Sequence, residues 1–100
     1  MTQNERQILN DILAIIKQNL TPQRIWFFGS RVKGKAKPSS DFDFAVETNI
    51  KDQSTRWKVQ DLIDAVRELY KVDIVYFDQI EEDFKKIILS TGKVVYERGN

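Results

Sequence analysis

The sequence predicts an α/β (α+β) domain, a small mixed β-sheet with its helices packed on one face. Three observations carry that reading. Ile8, Leu9, Ile12, Leu13 and Ile16 recur at three- and four-residue spacing, the stripe of an amphipathic helix. Compact runs of β-branched and aromatic residues at 24–28, 42–47 and 72–77 read as strands. Between the first two runs stands Gly29-Ser30, then a gap of ten residues, then Asp41-Phe42-Asp43.

Taken in order, the first helix is expected over 5–19, with Thr21-Pro22 ending it. Arg24–Phe28 is a largely buried first strand, broken by Gly29-Ser30. Residues 31–36 suggest a short helix weakened by Gly34, and Lys37-Pro38-Ser39-Ser40 a loop. The second strand covers 42–47. A long helix over 54–69 buries Val59, Leu62, Ile63, Val66, Leu69 and Tyr70, with Ser54 as its N-cap. A third strand spans 72–77. Asp78 and Glu81 have the spacing of a capping box, opening a helix over 80–90 that turns Ile80, Phe84, Ile87 and Ile88 inward and ends at Gly92. Val94-Val95-Tyr96 reads as a short edge strand, and 97–100 as a frayed tail. With three main helices, a sheet this short cannot be covered by two full layers, so the helices are expected on one side.

Composition narrows the chemistry. One hundred residues suit a single small domain over 1–100 with a thin core. Sixteen basic and fifteen acidic residues leave a net charge of +1, which disfavours a general nucleic-acid-coating role. Cysteine and histidine are both absent. That removes disulfides, thiolate and imidazole zinc sites, and histidine-based triads. A bound metal must rest on oxygen ligands, which points to magnesium, manganese or calcium. No apolar run reaches the roughly 18 residues of a membrane span, and no signal peptide is visible, so a cytoplasmic protein without membrane contact is expected.

The carboxylates are the sharpest feature. Side chains alternate along a strand, so if the second strand begins by residue 41, Asp41 and Asp43 share one side while Phe42, Phe44 and Val46 turn to the other, under the helices. Two neighbouring acids repel, and a divalent cation between them relieves the repulsion. The same arrangement suits a pair of ions that clamp a phosphoryl group. The plain alternative is a pair of acids facing solvent on an edge strand. Asp73 interrupts the apolar run Val72-Asp-Ile-Val-Tyr. It either faces water near the strand start or joins Asp41 and Asp43 if the two strands are neighbours. Gly29 allows close backbone approach, and Ser30 with the free N–H groups after it could hold a terminal phosphate.

Gly29-Ser30, ten residues, Asp41-Phe42-Asp43 and a later strand carrying Asp73 together resemble the nucleotidyltransferase superfamily that includes DNA polymerase beta. The small size resembles its minimal MNT branch, the antitoxin halves of HEPN–MNT toxin–antitoxin pairs. The resemblance covers about residues 8–96. It implies the minimal nucleotidyltransferase fold and two Mg2+ ions, with Mn2+ as a substitute, held by Asp41, Asp43 and Asp73, which then serve as both metal-binding and catalytic residues. It places Gly29 and Ser30 at the nucleoside triphosphate. It further implies transfer of AMP from ATP to a hydroxyl of a HEPN-domain partner. Phe42 and Phe44 stand where smaller aliphatic residues are commoner in the family, and they keep the apolar alternation.

Arg31, Lys33, Lys35 and Lys37 put four cations in seven residues beside the expected phosphate site, Arg31 best placed for nucleotide binding; a solvated loop would look the same. Trp57 is expected in the core or a subunit contact rather than against an adenine. Either Trp26 or Phe27 is expected on the uncovered side of the sheet. Two functions follow as expectations: a metal-dependent nucleotidyltransferase acting on a partner protein, or an interaction module that neutralises a HEPN-type partner by complex formation alone. Homo-oligomerisation and base preference stay open.

Overall fold

A computed structural model describes residues 1–29 and 41–99. The element order is α1 (Gln3–Leu20), β1 (Arg24–Phe28), β2 (Phe42–Glu47), α2 (Gln53–Val66), β3 (Val72–Tyr76), a 3-10 turn (Phe77–Gln79), α3 (Glu82–Thr91) and β4 (Lys93–Glu97). The strands form one sheet in the order β3-β2-β1-β4. β1 pairs antiparallel with β2 and β4, and β2 pairs parallel with β3, so the sheet is mixed as expected. The short helix expected over 31–36 and the loop over 37–40 lie outside the described residues.

α1 starts two residues earlier than the apolar period suggests. Thr2 and Glu5 form a capping box: the Glu5 N–H donates to Thr2 Oγ1 at 3.1 Å and the Thr2 N–H to Glu5 Oε1 at 2.9 Å. Thr21 ends the helix in the left-handed region at φ 36°. Ile8, Ile12, Ile16 and Leu20 are buried against the sheet. On the same face lie Ile25 and Phe27 of β1, Phe42, Phe44 and Val46 of β2, and Val59 and Ile63 of α2. Phe27 stacks on Phe44 with centroids 5.2 Å apart, and Tyr70 meets Phe42 edge-on at 5.4 Å.

The two long helices thus share one face of the sheet. The alternate residues of β1 and β2 turn to the reverse face, where Trp26 and Ala45 bury against Ile88 of α3. Trp26 stacks on Phe77 at 4.4 Å and Phe28 meets Phe84 edge-on at 5.8 Å. Trp26 and Phe27 are therefore both buried, contrary to the expectation that one faces an uncovered side. Trp57, expected in the core or a subunit contact, is 65% exposed on α2, which removes the core alternative.

Local competition explains the other departures. Asp52 rather than Ser54 caps α2, since its carboxylate accepts from the Thr55 N–H at 3.1 Å and from the Ser54 and Thr55 hydroxyls. α2 ends at Val66, and Glu68 turns left-handed at φ 55°. Leu69 falls in that turn, fully exposed, and Leu62 is also exposed, so the buried stripe contracts to Val59 and Ile63 with Val66 and Tyr70 packed beside them. β3 stops at Tyr76. Asp78 is drawn away by Arg56, so the anticipated capping box does not form and α3 starts at Glu82, after Glu81, whose side chain makes no cap bond. Ile87 points outward while Ile88 is buried. Gly92 caps α3 as expected, its N–H donating to the Ile88 carbonyl at 2.7 Å. β4 is the expected edge strand, yet the start of the tail expected to fray is tied: Arg24 pairs with Glu97 at 2.9 Å and the Arg98 N–H donates to the Gln23 carbonyl at 2.9 Å. Among the described residues, no helix is long and apolar enough to cross a membrane.

Candidate functional site

Strand register assembles the site. Asp41 immediately precedes β2, and Asp43 and Asp73 are the second residues of β2 and β3. The parallel pairing sets Asp43 directly beside Asp73. Alternation brings Asp41 to the same side, while Phe42 between them is buried on the helix face. One carboxylate oxygen from each of Asp41, Asp43 and Asp73 lies within 4.8 Å of the others. The cluster sits at the end of the sheet where β1 runs out, since Phe28 pairs with Asp43.

Gly29 closes one side of it. The residue has φ +87°, and a Cβ there would sit 2.5 Å from Asp43 Oδ2. Both facts require glycine: a side chain would be strained in that conformation and would collide with the carboxylate. The backbone of β1 therefore turns away directly against the acid cluster.

Among the described residues, the electrostatics are those of a site short of positive charge. Asp43 is pushed up to about 6, first by burial and then by the neighbouring charges of Asp73 and Asp41, with Lys71 pulling the other way. Lys71 Nζ stands 3.9 Å from Asp41 Oδ2 and 3.8 Å from Asp73 Oδ2. These are loose contacts of a largely exposed side chain and offset only part of the repulsion. Three converging carboxylate oxygens, one of them half-desolvated, are the donor set of a hard divalent cation, so the residues present fit a magnesium or manganese ion.

Of the residues predicted for the site, Asp41, Asp43 and Asp73 come together and Gly29 lies against them. Ser30 and Arg31, with Lys33, Lys35 and Lys37, lie outside the described residues. Sequence reasoning missed Lys71. Its signal was present: it stands two residues before Asp73 in an extended segment, which places both on one side.

The comparisons with known proteins agree with this geometry. The family described as polymerase beta, nucleotidyltransferase matches residues 10–100. A probable protein adenylyltransferase MntA from Haemophilus influenzae is 37% identical over 99 residues, covering 91% of this chain and 84% of that protein. A crystal structure of a toxin–antitoxin with AMP-PNP superposes with a TM-score of 0.74 and 27% identity, over 89% of this chain and 73% of that one. The fold also matches a complex of a tri-AMPylated Shewanella oneidensis HEPN toxin with its MNT antitoxin, at a TM-score of 0.69 and 24% identity over 93% of this chain and 72% of that one. With its acid cluster, its glycine turn and a match over most of its length, the chain belongs to the polymerase beta nucleotidyltransferase family.

Proposed function

We propose that residues 1–100 act as one nucleotidyltransferase unit that transfers AMP from ATP to a hydroxyl of a partner protein, and that the partner is a HEPN-type toxin. The observation that carries the proposal is the parallel register that pairs Asp43 with Asp73 and gathers three carboxylate oxygens against Gly29. The similarity to a probable protein adenylyltransferase, and to a toxin–antitoxin structure holding AMP-PNP, supports the substrate and the partner.

Asp41, Asp43 and Asp73 would hold two Mg2+ ions, or Mn2+ in their place. Metal bound there would supply positive charge to the phosphoryl oxygens. The chain's own residues do the rest. Asp41 and Asp43, at the start of β2, would orient the α-phosphate through the metal they hold. Gly29 admits the triphosphate close to the backbone, and Ser30 and Arg31, which follow it in sequence, are assigned to its terminal phosphates. The acceptor oxygen forms a bond to the α-phosphorus as the bond from that phosphorus to the bridging oxygen breaks, and pyrophosphate leaves. Asp73 and its neighbour Asp43 are the candidates to take the hydroxyl proton, since the chain has no histidine for that work. Such chemistry belongs in the cytoplasm, where ATP and magnesium are supplied.

The test uses purified protein, magnesium and ATP labelled at the α-phosphate, added to lysate of the source organism, with Asp43→Asn as control. A labelled protein band that needs both magnesium and Asp43 is the expected result, with at least a thousandfold loss in the variant, on the order of 4 kcal/mol of transition-state stabilisation. Full activity in Asp43→Asn would sink the mechanism. A variant that still forms the partner complex but no longer changes the partner's mass separates catalysis from neutralisation by complex formation.

A further inference from the structure

Lys71 is a charge at the site for which the proposed reaction has not accounted. Its ammonium lies between two of the three acids, 3.9 Å from Asp41 Oδ2 and 3.8 Å from Asp73 Oδ2. Both distances are beyond hydrogen-bond range, so attraction of charge alone holds it there. The base of the side chain is fixed, because the Phe42 N–H donates to the Lys71 carbonyl at 2.9 Å and Lys71 directly precedes β3. The free end is not fixed: the side chain is 69% exposed. Among the described residues, Lys71 is the cation paired with the acid cluster.

We infer that Lys71 is a resident counter-cation of the carboxylate cluster, displaced when a divalent cation enters and then turned to the triphosphate. The inference rests on the nucleotidyltransferase reading. A lysine ammonium is a mobile point charge on a flexible stem, suited to exchange in a way that a bidentate arginine is not. Without metal, three acids gathered by strand register repel one another, and Lys71 offsets part of that repulsion. A divalent ion carries twice the charge and can take direct contact with the oxygens. Once it does, the ammonium faces a cation instead of two anions and is driven out. The triphosphate is then the densest negative charge within its reach. Loading of metal and of nucleotide are thereby coupled: free metal must compete with Lys71, while metal arriving with a nucleotide gives Lys71 a new partner.

The experiment is calorimetric titration of the full chain with Mn2+ alone, then with α,β-methylene ATP at saturating Mn2+. Lys71→Met should bind Mn2+ about three- to tenfold more tightly than the wild type and the nucleotide about three- to tenfold more weakly. Lys71→Arg keeps the charge but yields its place less readily, so it should bind Mn2+ no more tightly than the wild type. The exposed position of the side chain leaves folding intact in both variants. Unchanged or weaker Mn2+ binding by Lys71→Met overturns the inference, and so does tighter Mn2+ binding with undiminished nucleotide binding. Wild-type protein that binds Mn2+ no better than the double variant Asp41→Asn, Asp43→Asn would sink the metal-dependent reading itself. Wild-type binding that Lys71→Met leaves unaltered sinks the role of Lys71 alone.

Discussion

The parallel pair β2–β3 carries an ionic cluster at each end, and the two are opposites. At the start of the strands, Asp41, Asp43 and Asp73 converge, and among the described residues a loose lysine is the cation beside them. At the far end, past Tyr76, Arg56 is buried with every contact met. Its Nη2 donates to Asp78 Oδ1 at 2.8 Å and its Nη1 to Asp78 Oδ2 at 3.3 Å. Its Nε and Nη2 donate to the Ile50 carbonyl at 3.1 and 2.9 Å, and its guanidinium lies 3.8 Å from the Tyr76 ring centroid. The same residue type answers in opposite directions. Hydrogen bonds from Arg56 hold Asp78 below the usual carboxylate range, whereas burial and like charge push Asp43 up to about 6. A cluster that balances its own charge fastens α2 to the turn after β3. The acid cluster is left short of positive charge among the described residues, and strongly shifted groups of that kind gather at functional sites.

The largest expected effect on stability breaks the balanced end. Asp78→Ala leaves a buried guanidinium without its carboxylate and should lower stability by about 3 kcal/mol in urea or thermal melts, with little change in Mn2+ affinity. A loss within about 0.5 kcal/mol would show that water replaces the carboxylate freely.

Gly29→Ala strikes the deficient end through the backbone. Strain at positive φ should remove about 1–2 kcal/mol. The methyl group's collision with Asp43 should displace the carboxylate and weaken Mn2+ binding as well, which the Asp78 variant leaves intact. Wild-type Mn2+ affinity in this variant would mean that Asp43 shifts without consequence for the cluster.

The smallest effect is electrostatic and has a definite sign. Asp43 holds its proton more tightly in the folded chain than in the unfolded one, with about 6 in place of 3.8. In metal-free buffer its contribution to stability is therefore greatest below about pH 4 and declines as pH rises through 6. Asp78, shifted downward, contributes the other way: its stabilisation is present above its ordinary range and is lost as pH falls. Asp43→Asn should flatten the decline near pH 6 and raise metal-free stability near neutrality slightly. Magnesium should stabilise the wild type more at pH 7.5 than at pH 5, because it binds the ionised carboxylates. Thermal melts across pH with EDTA and with magnesium read all of this. A magnesium effect independent of pH would detach Asp43 from the metal site.

Much of this was legible from local pattern. The period of Ile8, Ile12 and Ile16 gave the face of α1. The limits of β1 and β2 followed from their β-branched and aromatic runs, and the alternation of Asp41, Phe42, Asp43 and Phe44 placed acids on one side and rings on the other. Such features depend on backbone geometry that any strand or helix shares. The end of α2 was not legible, because the apolar period continues through Leu69 while the chain turns at Glu68. The N-cap at Asp52 was hidden by Ser54, an equally good capping residue that instead donates to Asp52.

The sequence by itself determined the elements, the acids of β2 and the glycine turn before them, since each is set by residues close in the chain. Only the tertiary structure decided that β3 lies parallel to β2 in the register that sets Asp73 beside Asp43. It also decided that α3 covers Trp26 and that Arg56 rather than a helix start claims Asp78. Those outcomes join residues up to tens of positions apart, and what selects them is the joint burial of Phe42, Phe44, Val59 and Ile63 in one core, which no local pattern encodes.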